Sequence, residues 1–253
     1  MVYTEEEIEN IRLSCLIASQ ALGVASRIIK VGITSQEIDQ EVESFIVGKG
    51  AVPAFKGYRN FPASICASIN EEVVHGIPNK RLLKEGDIIS VDVGVLLNGF
   101  YGDTAYTFPV GEVNTSLTRL MQVTKDSLDL AISSAVVGKR IGAIGHAVQT
   151  LAESHGYGIV RELSGHGVGR HLHEDPHVPN FGKETDGELI EEGMVFAIEP
   201  MINSGTAKVR LTGDGWTIRT QDRKASAHFE HTVAIIDGKA ERLTNFEFIE
   251  SVK

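Results

Sequence analysis

The dipeptide Asn98-Gly99 constrains this chain more than any other feature. Both residues tolerate the positive φ of a type I′ turn, the tight reversal that joins two antiparallel strands. Residues 87–97 and 100–110 on either side are rich in β-formers. A two-residue turn fixes the register, so Leu97 faces Phe100 and Gly94 faces Asp103. Asp92 lies two residues from Gly94 and therefore on the same face of the hairpin. Asp92 and Asp103 become diagonal neighbours, about 7–8 Å apart at the backbone. Gly94 and Gly102 are expected to leave space around them. Two converging carboxylates repel and are costly to bury unless a cation or a proton sits between them. The alternative is a solvated pair on an exposed strand. Ile88, Ile89, Val91, Val93, Val95 and Leu96 oppose it, because they read as a buried strand.

Helices precede the hairpin. Thr4-x-x-Glu7 has the form of a capping box, and Ile8, Ile11, Cys15, Ala18 and Leu22 follow on one helical face. After Gly32, Thr34-x-x-Glu37 opens a second helix with Ile38, Val42, Phe45 and Ile46 as its apolar stripe. Residues 64–69 alternate as a strand. Residues 117–137 and 141–155 read as helices, and 194–199, 216–220 and 227–236 as strands. Helices followed by antiparallel strands, twice, predict an α+β fold of two similar halves. One domain is expected over 1–253, with halves roughly 1–115 and 116–253 and a site at the seam. No residue-level self-similarity supports the repeat.

The chain has 253 residues and a net charge of -10, from 34 acidic and 24 basic residues. That balance opposes a direct nucleic-acid reader, which needs clustered Lys and Arg. Cys15 and Cys66 are too few for a disulfide framework and read as small buried hydrophobes. The acidic N-terminus is no secretory signal, and no stretch is expected to reach the ~18 apolar residues a bilayer span needs. The expectation is a cytoplasmic protein with no membrane partner.

Other acidic and imidazole groups fall on strands or among glycines. Glu199 closes the apolar run Met194-Val195-Phe196-Ala197-Ile198 before Pro200. Glu230 alternates with Phe229 and His231 and shares a face with Thr232 and Ala234. Read alone, each glutamate is equally a strand-end charge or an ion-pair partner. Gly165-His166-Gly167-Val168-Gly169 runs into His171, Leu172 and His173, a place where backbone or ligand approaches closely. A self-contained three-histidine metal site is one reading of it. A phosphate loop is another, opposed by the missing G-x-x-x-x-G-K and the wrong spacing for G-x-G-x-x-G. One imidazole with four carboxylates would be an oxygen-rich set suited to Mn, Fe, Co or Zn ions in pairs.

Taken in order, six segments resemble the methionine aminopeptidases of the short type I bacterial form, with the pita-bread fold. They are Asn70-Glu71-Glu72-Val73-Val74-His75-Gly76-Ile77-Pro78, Val91-Asp92-Val93-Gly94, Tyr101-Gly102-Asp103-Thr104, Gly165-His166-Gly167-Val168-Gly169 with His173-Glu174-Asp175-Pro176, Ala197-Ile198-Glu199-Pro200, and Phe229-Glu230-His231-Thr232. The likeness spans essentially the whole chain and leaves no room for the insert of the type II form.

The resemblance implies a dinuclear site with Asp92, Asp103, His166, Glu199 and Glu230 as ligands, Asp103 and Glu230 bridging. A hydroxide between the ions would attack the carbonyl after an initiator methionine whose neighbour is small. Glu199 would act as general base, His173 would stabilise the oxyanion, and His75 would contact the scissile nitrogen. Tyr58, Phe61, Cys66, Leu172 and Trp216 would form the methionine pocket; Trp216 alone also reads as plain core. Leu172, Arg59 and His171 stand where relatives can hold Phe, His and Gly, which bears on the pocket wall and rim. Backbone oxygens of Asn70, Glu72 and Ser226 would hold a monovalent cation. The implied partners are nascent-chain N-termini beginning with Met, with transient ribosome association, for a monomeric enzyme.

Three rivals remain. A proline-directed aminopeptidase or dipeptidase on this fold usually carries an extra N-terminal domain, and this chain opens on the first catalytic helix. A non-catalytic peptide-binding module would lose ligands that are all present here. A nucleotide-binding protein would need the missing lysine.

Overall fold

The computed structural model describes residues 1–250. Both expected capping boxes form. In the first, the Glu7 amide donates to Thr4 Oγ1 at 3.3 Å and the Thr4 amide donates to Glu7 Oε2 at 3.0 Å. These caps start α1 (Glu5–Ile28) and α2 (Ser35–Gly48). A strand pair of the hairpin follows after three short strands: β1 (Val52–Pro53), β2 (Cys66–Ile69), β3 (Glu72–Val74), then β4 (Ile88–Leu97) and β5 (Phe100–Pro109). The later part of the chain contributes α3 (Thr115–Ser134), α4 (Gly142–Ser154), β6 (Gly158–Ile159), β7 (Ser164–Gly167) and β8 (Glu174–Pro179). It continues with β9 (Val195–Ile198), β10 (Met201–Asn203), β11 (Val209–Leu211), β12 (Ile218–Thr220) and β13 (Ser226–His228). It ends with β14 (Glu230–Ile236), β15 (Lys239–Arg242) and α5 (Glu247–Glu250).

Among the described residues, nine strands form one sheet in the order β1-β4-β5-β14-β9-β7-β8, with β2 on β4 and β15 on β14. All its pairings are antiparallel. The seam is β5 against β14, where Ala105 faces Glu230 and Thr104 faces His231. It joins strands from the first and second parts of the chain. Two three-stranded sheets, β13-β10-β6 and β11-β12-β3, flank the main one.

The hairpin register is the expected one, unbroken from Leu97↔Phe100 through Gly94↔Asp103 to Ile88↔Pro109. Val91, Val93 and Val95 turn to the helix side and are fully buried in one core with Leu22, Ile38 and Ile46. Each such side chain contributes roughly 1.5–3 kcal/mol of apolar burial.

Three expectations need correction. Gly94 and Gly102 do not leave open space. A Cβ on Gly94 would collide with the Phe55 ring, and one on Gly102 would meet the backbone of Cys15. Gly102 thus lets α1 lie directly on β5, where Ser14 Oγ also donates to Phe100 O at 2.9 Å. Residues 227–236 are not one strand, because the ladder breaks at Phe229 between β13 and β14. Finally, α1 is long and apolar enough, by length and composition, to cross a membrane. The expectation counted consecutive apolar residues; α1 meets the criterion as an average. Its apolar face, Ile8, Ile11, Cys15, Ala18 and Leu22, is buried against the sheet.

Gly102→Ala should force α1 off β5. Overpacking of this kind costs about 1–3 kcal/mol, read as a lowered midpoint in thermal or urea unfolding with the secondary structure retained.

Candidate metal centre

The five expected ligands stand on one face of the main sheet, and the register shows why. Cys66 faces Asp92, Asp92 faces Ala105, and Ala105 faces Glu230. These four form one row across β2, β4, β5 and β14, about 4.8 Å from strand to strand. Asp103, opposite Gly94, lies on the same face one step along. On the far side of β14, His231 faces Ile198 and Thr232 faces Ala197. Glu199, the residue after Ile198, therefore falls level with Glu230. Gly167 faces Phe196 on β9, which puts His166 level with Ala197 and on the same face again.

Asp103, His166 and Glu230 each offer a donor atom within 4.8 Å of the others. His166 Nε2 lies 3.6 Å from Glu199 Oε1. Asp92 lies on the same face, opposite Ala105 and diagonal to Asp103. The glycines around His166 admit neighbouring backbone rather than a ligand. A Cβ on Gly165 would strike Ala197 O, and one on Gly167 would strike Asp175 O. Of the glycine-flanked segment, 165–167 lie on β7 and 174–176 on β8, with 168–173 connecting them.

The electrostatics demand positive charge. Burial, then the neighbouring carboxylates, pushes Asp92 and Glu230 well above the ordinary carboxylate range. Burial also raises Asp103 and Glu199 to about 7. Asp92 Oδ1 and Asp103 Oδ1 are buried with no hydrogen-bond partner in the protein. Four buried or half-buried carboxylates, two with orphaned oxygens, and an imidazole fit divalent cations by both charge and donor type.

An apolar cavity opens over the carboxylates. Tyr58, Phe61, Cys66, Leu172 and Trp216 all line it, as expected, and so do His75 and His173. Trp216 packs edge-on to Phe61 at 5.1 Å and to His75 at 6.3 Å. His75 holds a positive φ of 58°, uncommon for a residue with a Cβ and concentrated at functional sites. Burial lowers its pKa to about 4. His173 stacks on Tyr58 at 5.2 Å, and its Nδ1 lies 2.9 Å from the Tyr58 hydroxyl. His173 is exposed, yet desolvation, then His166 and His75, lower its pKa also. A wider groove shares His75, His166, His173 and Glu199 with this cavity and runs out past His171.

Among the three departures, Leu172 is a buried pocket wall, Arg59 lies over the Tyr58 ring at 5.4 Å, and His171 is exposed in the groove. Asn70, Glu72 and Ser226 are close together: Asn70 O accepts from the Ser226 amide at 2.9 Å, and Glu72 Oε1 pairs with Arg219 at 2.6 Å.

Sequence reasoning missed two residues. Phe55 lines the cavity above Gly94. Its only sequence signal was that glycine. His228 is fully buried with Nε2 3.4 Å from Glu199 Oε2, on the side away from His166. Alternation from Glu230 does not reach it, because the ladder breaks at Phe229 between them.

Known proteins share this fold and much of this sequence. A family model described as "Metallopeptidase family M24" matches residues 9–237. The chain belongs to that family. It is 47% identical to a methionine aminopeptidase of Clostridium acetobutylicum over 245 residues, 96% of this chain and 98% of that protein. It is 50% identical to methionine aminopeptidase 1 of Bacillus subtilis, over 85% of this chain and 87% of that one. The methionine aminopeptidase structure from Rickettsia prowazekii superposes with a TM-score of 0.96 at 40% identity, covering 97% of this chain and 99% of that one. The prolidase from Pyrococcus furiosus superposes at 0.80 with 25% identity, but this chain covers only 66% of it. The expected pita-bread fold is therefore the fold of this chain, and the chain is a metal-dependent hydrolase of the aminopeptidase type.

Cation binding should raise the thermal midpoint, because ions that bind only the folded state stabilise it by about 2.7 kcal/mol at a hundredfold excess over Kd. Comparing Mn-loaded with EDTA-treated protein reads this, and Asp103→Asn should remove most of the difference. Asp103 and Glu199 hold protons up to about 7 without metal. Protons then compete with the ion, so the Mn-induced shift should shrink as pH falls from 8 to 6.

Proposed function

We propose that the chain removes the initiator methionine from nascent proteins whose second residue is small. It would use two divalent ions, Mn, Fe, Co or Zn, held by Asp92, Asp103, His166, Glu199 and Glu230. The observation that carries this is the convergence of those five donors on one sheet face, at the floor of an apolar cavity that continues into a groove. When bound, the ions supply Lewis acidity at the scissile carbonyl and a water ionised near neutral pH.

The protein's own groups do the rest. The methionine side chain enters the cavity against Tyr58, Phe61, Cys66, Leu172 and Trp216, apolar and polarisable surfaces that suit an unbranched thioether. The remaining peptide lies along the groove. His173 stays neutral, since its pKa is lowered, and so carries one N–H. The Tyr58 hydroxyl, donating to Nδ1, leaves that proton on Nε2, where it can donate to the carbonyl oxygen as negative charge develops. A donor of this kind contributes ~3 kcal/mol to the transition state. His75, also neutral, contacts the scissile nitrogen. Glu199, between His166 and His228, takes the proton from the attacking water and returns it to the leaving amine. Asn70, Glu72 and Ser226 would seat a monovalent cation through backbone oxygens. The reading places the enzyme in the cytoplasm, acting on chains emerging from the ribosome.

Metal-loaded protein should release Met from Met-Ala-Ser and leave X-Pro peptides intact; the reverse pattern overturns the proposal in favour of a proline-directed enzyme. Glu199→Ala should abolish turnover, and full activity in that variant removes the general base. His173→Ala should lower kcat about a hundredfold with KM little changed.

A further inference from the structure

Residues 168–173 connect β7 to β8 and carry Leu172 of the pocket wall and His173. A connection of this length holds a catalytic side chain in place only if its backbone polar groups are satisfied. Within the loop, the Gly169 amide donates to His171 O at 3.1 Å, and Gly169 O accepts from the Tyr101 amide at 2.7 Å. The Val168 amide donates to Val195 O at 3.4 Å, and a further partner comes from the far end of the sequence.

Tyr3 is 4% exposed. Its amide donates to Gly193 O at 2.8 Å, and Val2 bridges to Met194, so the segment is stitched to the start of β9. The Tyr3 hydroxyl donates to Glu174 Oε2 and accepts from the Arg170 amide at 3.1 Å. The other oxygen of Glu174, Oε1, accepts from the His171 amide at 2.6 Å. Arg170 lies over the Tyr3 ring at 5.1 Å and pairs with Glu7. Gly169 has no Cβ where one would collide with the Tyr3 ring and hydroxyl. Burial and Glu174 raise the Tyr3 pKa, so the hydroxyl keeps its proton and remains a donor.

We infer that Tyr3 is a positioning residue: its hydroxyl, through Glu174 and the Arg170 amide, locks the 168–173 loop and so sets the places of Leu172 and His173. The inference rests on the proposed function for its catalytic readout. Its structural readout is independent of that reading. A side chain three residues from the N-terminus thereby controls a pocket wall and an oxyanion donor some 170 positions away in sequence.

The test uses full-length protein tagged at the C-terminus, because the Met1 ammonium itself donates to Asp175 O at 3.1 Å. Tyr3→Phe keeps the ring and its stacking and deletes only the hydroxyl. Thr34→Ala removes the α2 cap, far from the loop, and serves as a variant of similar lost stability. Tyr3→Phe should lower kcat on Met-Ala-Ser about tenfold, as small misplacements of reacting groups do. KM should change less, and selectivity for Met over Leu at the first position should fall severalfold. The amides of Arg170 and His171 should exchange hydrogen faster. Thr34→Ala should change none of these. Adding Glu174→Gln to Tyr3→Phe should cost little more than the larger single change, since both break one contact.

Wild-type exchange at Arg170 and His171 in Tyr3→Phe overturns the inference, as does the same kcat loss in Thr34→Ala. Wild-type protein inert toward Met-Ala-Ser overturns the proposed function instead, and amide exchange then decides the clamp.

Discussion

Mutual repulsion among buried carboxylates is the constraint around which this molecule is arranged. Asp92, Asp103, Glu199 and Glu230 lie on or beside four neighbouring strands, within three strand spacings, with Asp103 and Glu230 buried and the other two half-buried. No packing of neutral side chains makes that arrangement stable, so it requires cations or protons. The sheet answers the geometric half of the problem. Antiparallel pairing aligns residues from five strands on one face, and the unbroken hairpin register places Asp103 one step from the row of Asp92 and Glu230. The helices answer the other half. They cover the opposite face with a dry core, while the acidic face opens to the cavity and the groove.

The legible parts of this fold are those with a local physical signature. The Asn98-Gly99 turn carries its own geometry, and that geometry pairs Asp92 with Asp103 from the residues alone. The two capping boxes mark the starts of α1 and α2 for the same reason. Glu199, Glu230 and His166 lack such a signature. Their meaning depends on β14 lying between β5 and β9, a long-range pairing that no short window of residues encodes. The family resemblance, rather than periodicity, selects them. Strands such as β7, with glycines on both sides of His166, have no alternation to read. Their small residues serve close backbone contact instead. Gly94 and Gly102 mislead in the same way: a missing Cβ signals that something needs the room, and here it is Phe55 and α1.

The pocket shows how residues distant in sequence share one task. Tyr58 comes from the first part of the chain and His173 from the second. They stack and hydrogen-bond at the mouth, so the substrate cavity, like the carboxylate cluster, spans the seam. His228 belongs to the same logic. Its Nε2, which has no hydrogen-bond partner in the protein, lies 3.4 Å from Glu199 Oε2.

The position of β14 has a consequence for how activity arises during synthesis. This strand sits in the middle of the main sheet, and among the described residues only β15 and α5 follow it. Until it is made, β5 and β9 have no common neighbour, Glu230 is missing, and the first hairpin displays two aspartates with nothing to bind between them. Pairings this distant form after the intervening chain has been ordered. A copy that lacks this strand thus lacks the pairing that brings the acidic face together.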